Sequence, residues 1–139
     1  MVSTYFKATQ DTLFLKNSVP YLIKEYNFWM QQGEQGHAVF LNNVTLNRYN
    51  ANTTLPRPES FREDVATAAG LSPSQQARVY HQLASGAETG WDYSSRWLGN
   101  SSNLSSIYTS DIIPVDLNVV FFRLEQLLAD FCLIGIHFV

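Results

Sequence analysis

The sequence has one cysteine, Cys132, so it holds neither an internal disulfide scaffold nor a cysteine-rich zinc site. Charge is scarce as well: 15% of the residues are Asp, Glu, Lys or Arg, and the net charge is −3. No block of Lys or Arg occurs, which removes the electrostatic footprint of a nucleic-acid or anionic-membrane partner. Long apolar runs are missing. Residues 119–131 are interrupted by Arg123, Glu125, Gln126 and Asp130, and residues 131–139 fall short of the roughly 20 that cross a bilayer. The opening Met-Val-Ser-Thr-Tyr-Phe-Lys7 lacks the apolar core of a signal peptide. No GxGxxG, P-loop, HExxH or GxSxG pattern occurs. What is present is apolar and aromatic: 45% hydrophobic and 14% aromatic in 139 residues, enough to bury the core of one domain and too much for a disordered chain.

Periodicity and punctuation predict a helical chain. Asp11 is placed to cap a short helix carrying Leu13, Phe14 and Leu15, and Pro20 suits the first turn of a longer one. There Leu22, Ile23, Tyr26, Trp29 and Met30 share a face, with Gly33 and Gly36 as the stop. Val39, Phe40, Leu41 and Val44, Thr45, Leu46 are too short to assign between strand and extended chain, and no loop has a hairpin signature. Ser60 and Glu63 have the spacing of a capping box for a helix ending near Gly70. Ser72 and Gln75 form a second such box, with Pro73 at the first helical position and Gly90 as the stop. Asp116 is the expected N-cap of a last helix reaching about Asp130. This makes about five helices on long loops. His37, His81 and His137 have no ligand spacing and are expected at the surface or boundary, so no metal site is expected.

Four Asn-x-Ser/Thr sequons, at Asn43, Asn52, Asn100 and Asn103, are a mild excess for ten asparagines. They fit either a glycosylated surface or ordinary loop composition.

Two loops are dense in functional residue types. In Pro56-Arg57-Pro58-Glu59-Ser60 the prolines stiffen the backbone beside an Arg and a Glu at a helix entrance. A guanidinium there offers a fixed fork of donors to hydroxyls or a carboxylate. The plainer alternative is a capped turn with a surface ion pair. In Gly90-Trp91-Asp92-Tyr93-Ser94-Ser95-Arg96-Trp97, three aromatics, a carboxyl, two hydroxyls and an Arg fall within eight residues. Rings pack on the C–H faces of a pyranose and polar groups bond its hydroxyls. A carboxyl shielded by aromatics can have its pKa raised and act as a general acid. An aromatic core cluster with Asp92 as an N-cap remains the alternative.

The segments Arg57-Pro-Glu-Ser-Phe-Arg-Glu-Asp-Val65, Ala87-Glu-Thr-Gly-Trp-Asp-Tyr-Ser-Ser-Arg-Trp97 and Ile113-Pro-Val-Asp-Leu-Asn118 occur in order, with Leu46-Asn-Arg-Tyr49 and Tyr26-Asn-Phe-Trp29 before them. Together they resemble trehalase, glycoside hydrolase family 37, over roughly residues 1–130. The resemblance implies an all-α fold, part of an (α/α)6 barrel of about twelve helices that is incomplete at both ends. It divides the chain into a partial catalytic domain, 1–130, and an unrelated apolar tail, 131–139. It implies Asp92 as proton donor and Gly90, Arg57, Pro58 and Glu59 as substrate contacts. The implied reaction is inverting hydrolysis of α,α-trehalose to two glucoses, with no cofactor.

The family's general base is a Glu far downstream of its Gly-Trp-Asp motif, and its Pro-Gly-Gly-Arg-Phe and Gln-Trp-Asp-x-Pro motifs do not occur here. A substitute base among Glu59, Glu63, Asp64, Glu88, Asp111 and Asp116 is not expected, since Glu63 and Asp116 read as helix caps. The expectation is thus an inactive fragment of an extracellular or cell-surface enzyme, whose parent the resemblance allows to be a lipid-anchored glycoprotein. The alternative is an inactive product that at most binds sugar or a partner chain.

Overall fold

The computed structural model describes residues 1–134. It is helical with one small sheet: α1 (Val2–Thr9), α2 (Thr12–Trp29), β1 (Ala38–Leu41), β2 (Val44–Asn47), α3 (Phe61–Thr67), α4 (Pro73–Glu88) and α5 (Val115–Leu133). The number of helices agrees with the expectation, but their division does not. α1 lies where no helix is predicted, and the two helices expected on either side of Pro20 are one.

Asp11 does cap α2, its Oδ1 accepting the Phe14 N–H at 2.9 Å. The helix then runs through Pro20. A proline there loses one backbone bond and crowds the preceding turn. Burial outweighs it: Leu15 and Val19 before the proline and Leu22 and Ile23 after it form one stripe against Phe6 of α1 and Leu127 and Phe131 of α5. Each fully buried aliphatic contributes about 1.5–3 kcal/mol. The predicted boundary at residues 130 and 131 falls inside α5, where Phe131 is buried in this cluster and Cys132 is exposed. Residues 135–139 of the expected tail lie outside the described residues.

β1 and β2 form an antiparallel hairpin, Leu41 opposite Val44, which corrects the expectation that no loop is hairpin-like. Asn42 and Asn43 make the two-residue turn with φ of 49° and 64°. Two positive φ values match the twist of the strands, and Asn tolerates them best after Gly. The hairpin is tied down by two asparagines. Asn47 N–H donates to Asn118 Oδ1 at 2.8 Å, Asn118 Nδ2 donates to Asn47 O at 2.9 Å, and Asn47 Nδ2 donates to Trp29 O at 2.7 Å.

A second core forms under α4, where Val79, Tyr80 and Leu83 pack with Ala68, Trp97 and Ile107. Trp29 bridges toward the other elements, edge-on to Tyr49 at 5.9 Å and tilted on Phe121 at 5.2 Å. Ser72 and Gln75 complete the expected capping box of α4. Ser60 makes no such bond and α3 is entered through a 3-10 turn, Pro58–Ser60. Asp116 is not the N-cap of α5 either; Pro114 is, and Asp116 lies in the first turn.

Candidate functional site

Arg57 sits between two prolines with φ −64° and ψ 134°, the extended backbone that a following proline demands. Its fork is turned onto Asp64 rather than a surface partner. Nε and the backbone N–H both donate to Oδ2 at 3.0 Å, and Nη2 donates to Oδ1 at 2.7 Å. The two side chains are 12% and 2% exposed, so this is a buried ion pair. The hydrogen bond to Asp64 holds the guanidinium above its ordinary pKa, and burial opposes it. Two of the five N–H groups are spent there, leaving three for a ligand. Pro58 and Glu59 are exposed beside it.

The second loop starts where α4 stops. Gly90 has φ +67°, with nothing within 4 Å of where a Cβ would stand, so glycine is needed there for backbone conformation alone. Thr89 Oγ1 donates to Gly86 O at 2.7 Å and accepts the Trp91 N–H at 2.8 Å. Trp91 O accepts the Ser94 N–H at 2.6 Å and Trp97 Nε1–H at 3.2 Å. These bonds fix the backbone on the N-terminal side of Asp92.

Tyr93 fixes the other side. Its hydroxyl donates to Leu83 O at 2.8 Å, and its ring lies 5.4 Å from the Arg57 guanidinium carbon. Burial, more than any neighbouring charge, pushes its phenol up to about 12; Arg57 opposes this, and Asp64, Asp92 and Glu59 reinforce it. Arg57 packs on this ring and Asp92 immediately precedes it in the chain, so both loops reach Tyr93. Asp92 and Trp91 are themselves exposed, so the shielding of the carboxyl expected from the aromatic-rich sequence is absent among the described residues, as is an N-cap bond from Asp92. Trp97 alone of the three aromatics is buried.

Behind the loop, Arg96 forks onto Asp116 at 2.9 and 3.0 Å with its guanidinium 4.5 Å from the Trp97 ring centre. That hydrogen bond, the largest cause, holds the Asp116 carboxyl below its usual range. The expected cap is in fact a tie between the second loop and α5. Glu88, at the end of α4, accepts the Asn50 N–H at 2.9 Å and lies 3.3 Å from His37 Nε2. His37 is 4% exposed between Phe28 and Trp29, a buried structural residue rather than one at the surface or boundary as expected. His81 is half-buried against Ser110, and His137 lies outside the described residues.

The sequence reading gives Tyr93 no role of its own and weighs Asp64 and Glu88 only as substitute bases, so it misses what the three residues hold in place. The signal for Asp64 was an acid seven residues after a proline-flanked Arg. An open groove of about 590 Å³ lined by Glu34, Asn52, Thr53, Arg78 and His81 contains none of the expected site residues. Among the described residues no cluster of three His, Cys, Asp or Glu is arranged to hold a metal, and no helix is long and apolar enough to cross a membrane.

The trehalase family model matches residues 1–135. A probable trehalase of Oryza sativa subsp. japonica is 44% identical over 139 residues, covering 97% of this chain and 24% of its own length. The trehalase of Dictyostelium discoideum is 41% identical over 94% of this chain and 23% of its own. A periplasmic trehalase of Pseudomonas aeruginosa is 46% identical over 82% of this chain and 22% of its own. The chain thus spans about a quarter of the length of the curated relatives it matches.

Proposed function

The chain belongs to the trehalase family, and from that premise we propose that it carries the proton-donor side of a trehalose-hydrolysing active site. Asp92 gives its proton to the glycosidic oxygen as the C1–O bond breaks. Arg57, Pro58, Glu59 and Gly90 contact the sugar, the guanidinium through the donors that Asp64 leaves free. Residues 1–130 are assigned to the catalytic domain.

One observation carries this reading: the two loops that bear these residues meet at Tyr93, whose ring underlies Arg57 and whose backbone continues from Asp92. Inversion needs a second carboxyl about 6.5–9.5 Å from the first, with a water between them. That second carboxyl is not assigned to any of the described residues. Acid and base carboxyls suffice for the step, so no cofactor is invoked. A location outside the cytosol is part of the same proposal. The periplasmic trehalases among the relatives support it, as does the exposure of Asn43, Asn52, Asn100 and Asn103 as glycan acceptors.

The test is made in an active trehalase carrying residues 1–135. Asp92→Asn is expected to cut turnover by about 10²–10⁴-fold with the unfolding temperature unchanged. Near-normal turnover overturns the assignment. Incubating the purified chain with trehalose separates hydrolysis from the alternative of sugar binding alone: glucose release marks the first, a thermal shift without glucose the second.

A further inference from the structure

We propose that Tyr93 is a positioning residue, holding the Asp92 carboxyl at a set place relative to the Arg57 guanidinium. The inference rests on the trehalase reading and adds to it a residue that touches neither sugar nor proton.

Asp92 is exposed, and among the described residues no donor reaches its carboxylate, so its position is inherited from its neighbours. On one side Trp91 is bonded through both its N–H and its carbonyl. On the other, Tyr93 is held at three points. Its hydroxyl is on Leu83 O. Its ring edge fills the space left by Gly86: a Cβ there would stand 2.6 Å from Cε1 and 2.9 Å from Cδ1, closer than atoms pack. Its ring face meets Arg57, which Asp64 already clamps.

Leu83 and Gly86 both belong to α4, so two of the three anchors sit on one rigid helix whose inner face is core. Movement of the ring therefore carries Asp92 with it and alters the spacing to Arg57. Gly86 is the device that allows this, because any side chain at that position would evict the ring.

The test uses the same active trehalase carrying residues 1–135. Tyr93→Phe keeps the ring and its packing, and is expected to stay within about threefold of the parent, since one hydrogen bond is lost. Tyr93→Leu is expected to lower kcat by about 100-fold, the scale of a misplacement near 1 Å. KM is expected to move less than about threefold, because only the transition state feels the displaced acid. Gly86→Ala should lower kcat in the same direction, and Gly86→Ala with Tyr93→Leu should be no worse than Tyr93→Leu alone, since the clash disappears with the ring.

Unchanged kcat in Tyr93→Leu, a rise in KM alone, or additive losses in the double variant overturns the proposal. Should Tyr93→Leu not fold, Gly86→Ala decides the matter: normal kcat there overturns it. Asp92→Asn in the same parent keeps the two levels apart. Retained turnover in that variant overturns the trehalase reading itself, whereas lost turnover beside an indifferent Tyr93→Leu overturns only the role of Tyr93.

Discussion

The side-chain amide of Asn118, on α5, satisfies both the backbone N–H and the backbone carbonyl of Asn47 at the end of β2. One side chain thereby completes the edge of the hairpin, and it also returns a bond to Pro114 O at the start of its own helix. Asn118→Ala leaves two backbone groups of the buried Asn47 without partners, at about 1–3 kcal/mol for each. An unfolding free energy lowered by about 2–6 kcal/mol in urea is expected. A loss under about 0.5 kcal/mol would mean that water replaces the amide.

The Arg57–Asp64 pair is buried on both sides, so removing one partner strands the other. Asp64→Asn is expected to cost about 3–5 kcal/mol of stability. Arg78 and Asp111 form a pair at 3.1 Å with side chains 68% and 51% exposed, and Arg78→Gln should cost at most about 1 kcal/mol. Chemical denaturation of the two variants side by side checks the contrast.

Tyr93 makes alkaline stability measurable. Its phenol is raised in the folded chain to about 12, so folding favours the protonated form. That contribution is complete below the ordinary value near 10 and is lost as pH rises from there to about 12. Tyr93→Phe should make the fall in stability across this window shallower, Tyr26 and Tyr49 being raised by burial as well, and ultraviolet titration should lose its latest-ionising tyrosine. An unchanged titration curve would refute the assignment.

Asp116 acts at the acid end. Its folded pKa is lowered by Arg96, so its contribution is present above the ordinary carboxylate value and is lost as pH falls through the folded one. Both side chains are well exposed, which keeps the effect below about 1 kcal/mol and sensitive to salt. Arg96→Gln should be less stable than the parent at neutral pH, with the difference gone in strong acid and in molar salt.

At Gly90 the backbone alone is the constraint. Gly90→Ala meets no atom but must hold φ near +67°, for which about 1–2 kcal/mol of destabilisation is expected. The lowered melting temperature should come without loss of folding cooperativity in calorimetry.

Much of the helical plan was readable because its signals are local. Ser72, Pro73 and Gln75 lie within four residues and suffice to start α4. The same pattern at Ser60 did not act as a cap, and Asp64 four residues on is committed to Arg57. Asp116 resembles a cap in sequence, but Arg96 claims it from twenty residues away. Pro20 looked like a helix start because nothing nearby shows that Leu15, Val19, Leu22 and Ile23 face a helix from the far end of the chain. The expected site residues stand in legible motifs. Their meeting point at Tyr93 depends on the space above Gly86, and that belongs to tertiary packing.

The cluster of Phe6, Leu15, Val19 and Phe131 has a kinetic consequence. It joins the first and last described helices, so its closure must span nearly the whole chain. Contacts of such sequence separation carry the largest loop-closure cost and form late, once intervening elements shorten the effective loop. Refolding should therefore pass through a phase in which α4 and its core are protected from hydrogen exchange while α1 still exchanges freely. Mutations at Phe131 should then speed unfolding and leave the refolding rate nearly untouched.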